Sequence, residues 1–70
     1  MLPFLIELAK AIRQFSKDSV VTKINIEGND YYFIRYGAKV NIQVINKDTQ
    51  MCDNGWWLLP TNEVYAYEGH

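Results

Sequence analysis

The stretch that most restricts how this chain can fold is Tyr31-Tyr32-Phe33-Ile34-Arg35-Tyr36. Aromatic and β-branched residues fill it, so it reads as a strand. Successive strand residues point to opposite faces. Tyr31, Phe33 and Arg35 therefore share one face, and Tyr32, Ile34 and Tyr36 share the other. Both faces are largely apolar. A strand of this kind is either covered on both sides or leaves one side for a partner.

Seventy residues allow one domain, and its core is small because short chains bury a smaller share of their surface. Such a chain depends on dense packing, a metal, disulfides or a partner. Cys52 is the single cysteine, so no disulfide can form within one chain. A lone thiol without a secretion signal fits a reducing compartment, and a cytoplasmic protein is expected. The apolar run from Leu2 to Ile6 is interrupted by Glu7, Lys10 and Arg13, and no stretch approaches the length of a membrane span. The formal charge is −1, with seven Lys and Arg against eight Asp and Glu. That balance lacks the basic excess of a protein that works through phosphate contacts.

Residues 3–15 read as a helix, with Pro3 in the first turn, where its missing N–H costs nothing. On a helical wheel Leu2, Phe4, Leu5, Leu8, Ala9, Ala11, Ile12 and Phe15 fall on one side, over an arc of about 180°. Glu7, Lys10, Arg13 and Gln14 lie opposite, with Ile6 among them. The arrangement suits a helix lying across a sheet; an alternative makes Phe4 and Ile6 an exposed contact.

After the polar connector Ser16–Ser19, residues 20–27 alternate with period two, as a half-buried strand does. Gly28-Asn29 and Gly37-Ala38 suit two-residue hairpin turns on either side of the strand at 31–36. Residues 39–45 alternate again. With these turns Ile26 lies opposite Tyr31, and Phe33 opposite Ile42. Ile24, Ile26, Tyr31, Phe33, Ile42 and Val44 then face the helix, while Tyr32, Ile34 and Tyr36 face away beside Asn25, Asn41 and Gln43. Loops of three residues would exchange the two faces. Farther on, 49–52 and 56–59 read as short strands around an Asn54-Gly55 hairpin that pairs Cys52 with Trp57, and 63–67 as a last strand. The expected fold is α+β: an N-terminal amphipathic helix packed on an antiparallel meander of about four to six strands. A small, partly closed SH3-like barrel is the alternative.

Pieces for catalysis are scarce. There is no P-loop, no dinucleotide fingerprint and no Cys-x-x-Cys. His70, the single histidine, ends the chain, where nothing holds it in place. Cys52 lacks a histidine to activate it and suits a small buried apolar role. Asp48 and Asp53 flank turns and are not spaced as a calcium loop. The chain is therefore read as no enzyme, with no cofactor and no metal.

What remains is an aromatic constellation: Tyr31, Tyr32, Phe33, Tyr36, Trp56, Trp57, Tyr65 and Tyr67. Its bland explanation is a two-sided core in which a hairpin containing Trp56–Leu59 curls over the second sheet face. Its functional explanation is a docking surface, since exposed tyrosine and tryptophan give large contact area at little rotamer cost. On that view Tyr32, Ile34, Tyr36 and Trp57 bind a larger protein, with Lys23 and Arg35 as charged contacts at the rim. In size and class the chain is similar to the small inhibitors encoded by phages and mobile elements, anti-CRISPR proteins among them, a likeness of bulk features. It implies an inhibitor or adaptor. Single-stranded nucleic acid stacked on the sheet aromatics is the alternative, opposed by the acidic balance. Exposed sheet edges also invite a homodimer.

Overall fold

The computed structural model describes residues 3–50 and 52–68, with side chains for 3–50 and 55–66. One helix, α1 (Pro3–Phe15), is followed by five strands: β1 (Val21–Ile26), β2 (Asn29–Tyr36), β3 (Lys39–Ile45), β4 (Cys52–Leu58) and β5 (Val64–Glu68). They form one antiparallel sheet in the order β1-β2-β3-β4-β5. The sheet is open, with β1 and β5 at its edges, so the barrel alternative does not hold. No helix among the described residues is long and apolar enough to cross a membrane.

The two tight hairpins set the faces. Tyr36 pairs with Lys39 across Gly37-Ala38, and Phe33 sits opposite Ile42, as the turn residues imply. Gly37 has φ 58°, the left-handed value that the first position of a II′ turn requires. The first hairpin differs from expectation by two residues. Its loop is Glu27-Gly28, so Ile26 meets Asn29 and Ile24 meets Tyr31. Both loop residues have positive φ, 52° and 86°, the signature of a I′ turn with glycine in second place. A slip of two preserves side-chain parity, so the faces stay as the sequence indicates.

The Asn54-Gly55 hairpin is not formed. Both residues lie inside β4, where Asn54 pairs with Val44 and Glu68, and Gly55 with Gln43 and Tyr67. The chain reverses earlier, at Asn46–Gln50. There Asn46 Oδ1 accepts from the Asp48 and Thr49 amides (2.8 and 3.2 Å), and the Gln50 amide donates to Asn46 O at 2.8 Å. That reversal leaves 52–58 free to pair on both sides, which satisfies more backbone groups than a second hairpin would. The register irregularity at Val44/Ile45 absorbs the extra residue opposite β3. Trp56 is thereby opposite Ile42, and Leu58 opposite Val40. Among the described residues no hairpin folds over the second sheet face.

The core lies between α1 and one face of the sheet: Leu5, Ala9, Phe33, Val40, Ile42 and Leu58. Burying each of the larger side chains contributes roughly 1.5–3 kcal/mol. Ile6, Leu8, Ile12, Ile24, Ile26, Tyr31 and Trp56 pack around them. The helix is rolled relative to the expected arc: Ile6 packs against the core, whereas Phe4, Ala11 and Phe15 are exposed. Arg13 supplies the reason. Its guanidinium donates to Ala38 O (3.4 Å), Leu59 O (3.3 Å) and Asn62 Oδ1 (2.5 Å), which draws its side of the helix toward the β4–β5 loop.

Arg35, at the end of the covered face, makes the second tie. It donates to Ser16 O just past the helix and to Gly37 O at 2.9 Å. Ser19 N–H donates to Arg35 O (2.8 Å), and the Gly37 amide donates to Asp18 Oδ1 (2.6 Å). These bonds fix the connector against the β2–β3 turn.

Candidate aromatic sheet face

The face away from α1 is built by register alone. Val21, Ile34, Asn41, Trp57 and Tyr65 are cross-strand partners in one row that runs the full width of the sheet. Lys23, Tyr32, Gln43 and Gly55 line up in the next. Tyr36 and Lys39 flank the β2–β3 turn on the same side. No helix or strand among the described residues lies over this surface.

Its centre is ordered by side-chain contacts. The Tyr36 and Trp57 rings lie 5.5 Å apart, tilted by 47°, and Lys39 Nζ stands 5.3 Å from the Trp57 ring centroid. Those distances are in the range where aromatic pairs and cation–π contacts stabilise. Below them Asn41 is 3% exposed and accepts a hydrogen bond from Gln43 Nε2 at 2.8 Å. At the β1 side Asn25 Nδ2 donates to Asp30 Oδ1 at 2.9 Å. Tyr36 is 46% exposed and Tyr65 63%, while Tyr32, Ile34 and Trp57 are half-buried by their neighbours.

The structure thus brings together Tyr32, Ile34, Tyr36, Trp57 and Lys23 on one surface. Arg35 is not with them. It points to the helix side, where carbonyl oxygens occupy its guanidinium. The aromatic constellation divides: Tyr31, Phe33 and Trp56 pack with the core, and Tyr36, Trp57 and Tyr65 lie on the open face with Tyr32. The side chains of Cys52 and Tyr67 lie outside the described set, and so does His70. One contributor went unrecognised in the sequence, Lys39, whereas Asn41 lies beside Ile34 as the alternation implies. Lys39 could have been found from the Gly37-Ala38 turn, which makes it the cross-strand partner of Tyr36.

No family model matches the chain. No curated protein and no solved structure matches it either. The functional reading therefore stands on the surface itself.

Proposed function

We propose that the chain is a small non-enzymatic protein-interaction module, an inhibitor or adaptor that docks on a larger protein through the open sheet face. The supporting observation is the uncovered row Val21–Ile34–Asn41–Trp57–Tyr65 with the Tyr36/Trp57/Lys39 cluster beside it. Aromatic side chains already held by neighbours lose little entropy on docking, which is why tyrosine and tryptophan dominate binding hot spots. Lys23 and Lys39 add ammonium groups to this face, where the Asp30 carboxylate is held by Asn25. The partner that complements this surface has an apolar centre with carboxylates at its rim.

The test is affinity capture followed by mass spectrometry, comparing the wild type with Tyr36→Ala/Trp57→Ala and with Phe15→Ala on the helix side. Partners recovered by the wild type and Phe15→Ala, and lost by a folded double variant, support the face. Equal recovery by all three removes it. Lys39 over the Trp57 ring, on a face that also carries Lys23 opposite Tyr32, favours the second reading, single-stranded nucleic acid. Titration of a labelled oligonucleotide at low salt, where electrostatic help is greatest, decides it. Absence of binding there ends that reading.

A further inference from the structure

β5 is attached to the molecule differently from the other strands. It approaches β4 alone, whereas α1 reaches β2, β3 and β4. Val64, Tyr65 and Ala66 are all exposed, so among the described residues β5 adds nothing to the core. Its main hold is therefore the backbone ladder to β4. Segments with so little buried apolar surface open at low cost. The loop leading into β5 is Pro60-Thr61-Asn62. It is closed by the Leu59 amide donating to Glu63 O and the Asn62 amide donating to Leu59 O, both at 2.8 Å. In a loop of this type the last residue is left-handed, and Asn62 has φ 70°. Arg13 of α1 ties the loop to the helix, donating to Asn62 Oδ1 at 2.5 Å and to Leu59 O at 3.3 Å.

We propose that β5 is an exchangeable strand with Arg13 as its latch. With the latch released, β5 of each copy leaves its own β4 and pairs with β4 of the other, giving a closed, reciprocally swapped dimer. A second copy is the occupant because the β4 edge is already matched to β5, from Leu58 opposite Val64 to Asn54 opposite Glu68. Exchange remakes that ladder unchanged, so its net cost is that of joining two chains. The hinge offsets part of this cost. Opened out, residues 59–63 continue the ladder through a dyad at Thr61, with Leu59 facing Glu63 of the other copy and Pro60 facing Asn62. Asn62 then leaves the left-handed region. The Glu63 amide, which in the closed loop meets Thr61 Oγ1 at 3.4 Å, gains the facing Leu59 carbonyl. Bonded and non-bonded pairs alternate, and the Leu59–Glu63 pair is a bonded one. Pro60 thus falls at a non-bonded position, where its missing N–H costs nothing. Against these gains stand the two Arg13 bonds, which need the loop in its closed shape. The latch decides the balance. Register is kept, so Tyr65 returns beside Trp57 in the dimer, supplied by the other copy.

Warm incubation at millimolar protein, cold dilution and light scattering test the proposal. Arg13→Gln is expected to raise the dimerisation constant at least about tenfold over the wild type, because each dimer releases two latches. Asn62→Val makes the left-handed position costly and is expected to act in the same direction. Deletion of Pro60–Asn62 is expected to give a dimer at every concentration, since Leu59 joined directly to Glu63 cannot reverse the chain. As a second readout, Asn54→Cys/Glu68→Cys in a Cys52→Ser background sets a disulfide across the β4–β5 ladder, at a facing pair within bonding reach. In the monomer that bond closes within one chain; in the exchanged dimer it links two chains on a denaturing gel. A dimer held by any other surface keeps the bond within one chain and overturns the proposal. So does a deletion variant that stays a folded monomer, or an Arg13→Gln protein that dimerises no more than the wild type. What the aromatic face binds is decided separately, by the capture comparison with Tyr36→Ala/Trp57→Ala.

Discussion

Arg35 shows how one side chain can stand among binding candidates in the sequence and serve the fold in the structure. Its guanidinium holds the carbonyls of Ser16 and Gly37, which end the helix and open the β2–β3 turn. Hydrogen bonds from a charged donor contribute about 1.5–3 kcal/mol, and removing the donor strands the acceptors. Arg35→Ala is expected to lower stability by roughly that amount, read as a shift of the urea midpoint with unchanged slope. Tyr36→Ala, one residue on but on the open face, is expected to cost about 1 kcal/mol or less, because its ring contacts are partly solvated. Alternation in the strand placed these two residues on opposite faces in advance. What alternation could not show is that the connector after the helix passes close enough for Arg35 to hold it, since that contact spans 19 positions along the chain.

At the scale of elements, the turns decide how much could be read. Gly37-Ala38 predicted its hairpin in full because only one of its positions needs a positive φ. The first loop was harder. Gly28 serves equally as the opening residue of a II′ turn or the closing residue of a I′ turn, and the structure takes the second, with Glu27 at φ 52°. An L-residue other than asparagine or glycine is strained there, by about 1–2 kcal/mol. Glu27→Asn is therefore expected to raise stability by about 0.5–1 kcal/mol, measured by urea denaturation. Asn54-Gly55 was misread for a different reason. Its hairpin signal is local, whereas β4 gains ladders to β3 and β5 together. The helix roll was hidden too, because the wheel of α1 weighs only apolar character, and the polar Arg13 side is the one drawn inward.

Across the whole molecule, each strand lies beside its neighbours in sequence, so a reading in chain order recovers the topology without any long-range pairing. The aromatic face was legible for the same reason: once one register is known, parity carries it across the sheet. That connectivity also keeps loop closures short, and closure entropy governs the folding rate more than stability does. Refolding from denaturant is expected to be a single exponential in the millisecond range, faster than for a sandwich of equal length, and stopped-flow tryptophan fluorescence measures it. The two arginine ties have one more consequence. Both anchor the helix where it leaves for the connector, while the stretch around Phe4 to Leu8 is held by apolar contacts such as Leu5 against the sheet. The helix is thus moored at its stern, and under mild stress it swings away bow first, uncovering Phe33 and Ile42 while Ser16 is still in place.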